Sequence, residues 1–179
     1  MLKKILYALL LLLGLFLSVG LFLPRDFTVS RAIDIAAPAS AIHEETGDLA
    51  RWQEWTPWSR DNAKVSISVS QPSSGPGANL TWSDQSGTGK LTILASSPET
   101  GIDYELAFGE STDKAKASIH YQPINGGTRV EWRMQGDVDV PVVGGYFALL
   151  AEKISAKAYL AGLQRLKTLV EAQQARKPK

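Results

Sequence analysis

The chain has 179 residues, no cysteine, and 19 Lys and Arg against 18 Asp and Glu. Without cysteine there is no disulfide framework, thiolate metal site or cysteine nucleophile. Lys3, Lys4 and Arg25 belong to the N-terminal stretch, so from Asp26 onward 16 basic residues face 18 acidic ones. That formal −2 argues against a surface built to grip nucleic-acid phosphates.

Ile5–Leu23 (ILYALLLLLGLFLSVGLFL) holds nineteen residues without a charge. At helical rise it would be about 28 Å long, close to the ~30 Å hydrocarbon thickness of a bilayer. A membrane-spanning helix is therefore expected, with Lys3 and Lys4 before it and Pro24, Arg25 and Asp26 after it. The rival is a cleaved signal peptide, with Ile5–Leu17 as its apolar core and Ser18-Val19-Gly20 as a small-x-small cleavage triplet. The apolar run continues through Leu21, Phe22 and Leu23, which favours a retained anchor. The lysines favour a cytoplasmic N-terminus. The remainder would then lie outside the membrane, in the periplasm if the membrane is a bacterial inner one. The expected organisation is an anchor over 1–25, one domain over 26–175 and a basic tail over 176–179 (Arg176, Lys177, Lys179).

Phe27–Ile35 alternates apolar and other residues, as a half-buried strand does, and Ala36-Ala37-Pro38 ends it. Pro38–Asp48 and Asp48–Trp55 read as two short helices, the second capped by Asp48. Six strands follow, over Lys64–Gln71, Ala78–Ser83, Gly89–Ser96, Gly101–Gly109, Lys114–Gln122 and Thr128–Val138, with turns at Gln71–Gly77 and Ser83–Gly87. Asn125-Gly126 between two alternating runs is a hairpin signal. Pro141–Gln174 changes to helical spacing, with one stripe of Val143, Phe147, Leu150 and Ile154 and a second, rotated stripe of Leu160, Leu163, Leu166 and Val170. Helices segregated from consecutive antiparallel strands predict an α+β fold, a curved sheet of seven strands around one long C-terminal helix.

Strand alternation assigns Phe27, Val29, Ile33, Ile35, Val65, Ile67, Val69, Leu80, Leu91, Ile93, Ile102, Ala117 and Val130 to the inner face. The candidate ligand-binding residues on that face are Trp82, Tyr104, Leu106, Phe108, Ile119, Tyr121, Trp132 and Met134, joined from the helix by Phe147, Leu150 and Ile154. Such a lining is nearly free of ionisable groups; it suits an apolar ligand, or else the same residues fill the core. Arg31 breaks the pattern, lying either beyond the sheet's edge or inside as a polar anchor for a carboxylate or headgroup. Trp52, Trp55 and Trp58 recur every third residue. They either pin the second helix to the core or form an aromatic rim.

His43 and His120 stand without a second histidine at ligand spacing, and both read as surface residues; no metal site is expected. Asp103 and Glu105 share the outer face, where a paired-carboxylate mechanism has no support. Gly87-Thr-Gly89-Lys90 lacks the first glycine and the final hydroxyl of a phosphate loop, and no Gly-x-Ser-x-Gly elbow occurs. No catalytic constellation emerges.

Several segments, in order, resemble the START/polyketide-cyclase-like superfamily. Val29–Pro38 resembles its first strand and proline-marked helix entry, and Asp48–Trp58 its tryptophan-rich segment. Gly75–Trp82 and Gly127–Trp132 are similar to its glycine-led strands. The resemblance implies a helix-grip fold over residues 27–172 and a family whose members include lipid carriers and cyclases; no cofactor is expected. An anchor ahead of such a domain also resembles a bacterial subgroup. The function expected is a membrane-tethered binding module for a lipid or other hydrophobic small molecule, with membrane lipid as partner and no nucleic acid or metal. The alternatives are a cyclase or hydratase acting through Arg31, Tyr104 or Tyr121, and an envelope interaction module docking through its tryptophans.

Overall fold

The computed structural model describes residues 1–60, 65–85, 87–109, 114–138 and 140–176. Lys64, Ser86, Lys177 and Lys179, which the expected strand, turn and tail include, lie outside the described residues.

The uncharged N-terminal run forms α1 (Leu2–Phe22), long and apolar enough to cross a membrane. Its side chains are largely exposed. β1 (Asp26–Ile35) begins directly after it. Pro38 caps α2 (Ala39–Thr46). The Asp48 carboxylate accepts from the Ala50 amide at 3.0 Å, as a capping side chain should. The second expected helix is broken: a 3₁₀ turn (Leu49–Arg51) leads into α3 (Trp52–Trp55) and α4 (Pro57–Arg60). Extended Thr56, ahead of Pro57, separates the last two.

β2 (Ser66–Val69), β3 (Asn79–Asp84), β4 (Gly87–Ser97), β5 (Gly101–Phe108), β6 (Lys114–Ile124) and β7 (Gly127–Asp137) complete one seven-stranded antiparallel sheet, ordered β1-β7-β6-β5-β4-β3-β2. The Asn125-Gly126 hairpin forms as expected, with Gly126 at φ 82° and Ile124 paired to Gly127. One register shift, between Ile93 and Ala95, expels Leu94 to solvent and turns Ser96 towards α2.

The sheet curves around α5 (Gly144–Arg176), which runs alongside β1. The helix starts three residues later than expected because Pro141–Val143 form a turn, with Val142 at φ 67°, a left-handed conformation incompatible with a helical start. Tyr159, Leu163, Leu166 and Val170 face the sheet. Gly162 lets the helix approach Trp132, whose ring lies 2.9 Å from where a Cβ would stand.

Candidate functional site

The aromatic residues divide the interior in two. Trp132 stacks on Tyr159 with ring centroids 4.0 Å apart, and the rings of Trp55 and Trp58 meet it edge-on at 5.2 and 5.5 Å. Trp52 lies against Tyr104 at 5.5 Å. This cluster, with Ile119 and Ile102 behind it, packs one end of the interior solid. The other end is hollow.

That hollow is an apolar pocket of about 270 Å³ between sheet and helix. Its sheet wall comes from Val65, Ile67, Leu80, Trp82 and Leu91, then Tyr104, Leu106, Phe108 and Met134; Ser155 and Tyr159 of α5 face them, with Trp52 and Trp58 at the side. Trp82 meets Phe108 edge-on at 5.8 Å, and Phe108 is half exposed at the mouth. The Trp82 indole lies over Gly89, its partner across the β3–β4 ladder; a Cβ there would come within 2.0 Å of the ring. The missing side chain is what lets this wall lie flat.

Two hydroxyls mark the floor. The Trp132 indole donates to Tyr104 Oη at 2.7 Å, and Tyr104 in turn hydrogen-bonds Tyr159. Burial pushes both phenols up from their ordinary values, so they stay neutral donors. Asp84 sits half-buried at the rim, where its carboxylate accepts from the Gly87 amide at 3.1 Å. Among the described residues, no three or more His, Asp or Glu side chains gather in a metal-binding group. A wider depression of about 370 Å³ on β2–β4 is lined by Ser68, Thr81, Ser83 and Lys90 together with Trp82 and Ala107, but it lies open to water.

Of the candidates read from sequence, Trp82, Tyr104, Leu106, Phe108 and Met134 line the pocket. Ile119, Tyr121 and Trp132 are buried but sit behind it. Phe147, Leu150 and Ile154 are exposed and do not line it, because the helix turns the small residues Ala148 and Ala156 inward instead. Trp52 and Trp55 are fully buried core residues rather than rim; Trp58, at 37%, is the exposed one. Arg31, paired with Trp132 on edge strand β1, is exposed, and its guanidinium donates to the Ser30 carbonyl at 2.6 Å rather than entering the cavity. His43 is not a free surface residue: its Nδ1 lies 3.2 Å from Tyr121 Oη and its Nε2 3.2 Å from Ser96 Oγ. Burial lowers its pKa, while burial pushes Tyr121 up to about 12.

Ser155 and Tyr159 are lining residues that sequence reasoning missed. Continuing the Val170, Leu166 and Leu163 stripe backwards by threes and fours arrives at Tyr159 and Ser155.

A curved antiparallel sheet gripping one long helix, hollow at one end and apolar within, defines the helix-grip class of fold. The chain belongs to the polyketide cyclase/dehydrase and lipid transport family, whose model matches residues 26–171. Among solved structures, a Chromobacterium violaceum protein is 16% identical with a TM-score of 0.58, over 80% of this chain and 96% of that one. A Thermus thermophilus protein is 18% identical with a TM-score of 0.59, over 82% and 98%. The di-domain ARO/CYC StfQ of the steffimycin biosynthetic pathway is 10% identical with a TM-score of 0.64, over 84% of this chain and 52% of that one. At these identities the likeness shows the fold. No curated protein sequence matches the chain.

Proposed function

We propose that the chain is a membrane-tethered binding module that holds a lipid or other apolar small molecule in the pocket between sheet and helix. α1 is its retained single-pass anchor, the N-terminus is cytoplasmic, and the unit over 26–175 faces outward from a bacterial inner membrane. The pocket carries this reading: about 270 Å³, apolar-walled, with the neutral Tyr104 and Tyr159 hydroxyls on its floor. The volume is near the lower end for ligand sites and suits a small apolar molecule or one end of a longer one. The family's description, which includes lipid transport, supports it.

Native mass spectrometry of the full chain released from native membranes, with organic extraction, tests the assignment. The expected result is a co-purifying apolar molecule at near-stoichiometric occupancy. Gly89→Val, which displaces the Trp82 wall, should lower that occupancy several-fold. Protein that is empty from every membrane source, and takes up no fluorescent fatty acid, would refute the assignment.

An enzyme of the cyclase type is the second reading, favoured by the family description alone. Of its candidates, Arg31 is exposed and Tyr121 lies outside the pocket, leaving Tyr104. General acid–base work favours a group that titrates near the working pH, and a phenol raised by burial does not. Docking through the tryptophans rests on Trp58, since Trp52 and Trp55 are buried.

A further inference from the structure

α5 begins with a surface that the described residues of the fold leave exposed. Val140–Ala151 is twelve residues without a charge, and the first charged side chains after it are Glu152 and Lys153. Phe147, Leu149, Leu150 and Ile154 are all exposed, at 47 to 61%. Scattered apolar residues are normal on a protein surface; Phe147, Leu150 and Ile154, spaced i, i+3 and i+7, share one face of the helix and form a patch.

This patch adjoins α1. The Tyr146 ring stacks on Phe16 with centroids 4.5 Å apart and planes 7° from parallel, and its hydroxyl donates to the Phe16 carbonyl at 3.0 Å. Gly20 admits the turn before α5, because a Cβ there would stand 2.2 Å from the Val142 carbonyl oxygen. Phe16 lies seven residues before Leu23, the last residue of the apolar run. That is about 10 Å along the helix, the depth to which interfacial helices bury their apolar faces. A side chain stacked on Phe16 is therefore below the membrane surface wherever α1 spans it.

The ladders fix where the pocket lies relative to this contact. Asp26 pairs with Asp137, Lys116 with Gln135, Ala107 with Lys114, Gly89 with Phe108, Asp84 with Gly87 and Ser66 with Ser83. These pairs trace one end of the sheet, the end at which the chain leaves α1. Phe108 and Asp84, at the pocket mouth, are on it, and the Asn125-Gly126 hairpin is at the opposite end.

We infer that the first two turns of α5 lie in the surface of the bilayer that α1 crosses, so that the pocket opens onto lipid rather than onto bulk water. The inference rests on the tethered reading above. The exposed patch is the second point of attachment, and the ligand enters from the membrane past Phe108.

The absence of native cysteine makes the test direct. The full chain is reconstituted in phosphatidylethanolamine/phosphatidylglycerol vesicles with an environment-sensitive NBD label on a single cysteine at Leu12→Cys, Phe147→Cys, Leu150→Cys or Asn125→Cys. Brominated phospholipid is the quencher, and unchanged tryptophan emission and circular dichroism confirm the fold of each variant. The expected result is blue-shifted emission at 12, 147 and 150, quenched several-fold more strongly than at 125. Quenching at 12 with water-like emission at 147 and 150 would overturn the inference while leaving the tether intact. No quenching at 12 would remove the tether itself. Emission at 147 and 150 that is blue-shifted but insensitive to brominated lipid would place protein, such as a second copy, on the patch and equally overturn it.

Discussion

His43 shows how one side chain acquires a pH dependence from its neighbours. It is half-buried between Tyr121 and Ser96, and desolvation holds its pKa below the ordinary 6.5. For a base lowered on folding, the unfolded chain binds the proton first, so stability is full above 6.5 and falls as pH drops below it towards the folded value. His43→Gln keeps hydrogen-bonding capacity without the titration. Its urea midpoint should fall less on acidification than the parent's; equal falls in the two proteins would dismiss this role. The histidine's place was not legible in the sequence, where it follows Ile42 and precedes Glu44 and Glu45 on what reads as a polar turn. Its partners come from a strand 78 residues away and from a residue re-aimed by the bulge at Leu94. Neither fact has a local signature. Tyr104 and Trp82 were legible, because strand alternation alone assigns them inward and the sheet keeps that register.

Among the elements, α5 is where hydrophobicity misleads. The largest apolar side chains of its first turns point outward and its alanines point in. A sequence stripe shows that a face is apolar but not what covers it. In the second half the sheet covers Leu163, Leu166 and Val170 as their stripe suggested, but Leu160, read as part of the same stripe, is exposed. The contact between α1 and α5 depends on the smallest side chain available. Gly20→Leu should separate the helices and leave Val142–Phe147 with faster amide exchange, while exchange in β6 and β7 stays unchanged. Exchange that is unaltered throughout would mean the contact does not hold the two helices together.

At the scale of the whole molecule, the seven-stranded α+β architecture followed from turn residues and alternation, because the alternating runs are separated by glycine, proline or asparagine signals. The hollow did not follow from them. An inward-facing residue is the same letter whether it meets another side chain or a void, and only the packing of Trp132 against Tyr159, Trp55 and Trp58 decides which end is filled. A chain lacking 1–25 should keep its tryptophan emission and its fold, since the sheet and its core make few contacts with α1. With Phe147 and Leu150 still exposed, it should retain weak binding to vesicles, measured by co-sedimentation. Complete loss of vesicle binding would assign all membrane affinity to α1.

α1 ends at Phe22 and β1 starts at Asp26, with Leu23, Pro24 and Arg25 between them. Three residues reach at most about 11 Å when fully extended, and Pro24 stiffens even that. Under the tethered reading proposed above, such a joint excludes shuttling: the pocket cannot cross an aqueous compartment to a facing membrane, nor swing far from its own leaflet. Traffic through it is then lateral, confined to the two dimensions of one membrane, and any onward transfer requires the acceptor to come to the module.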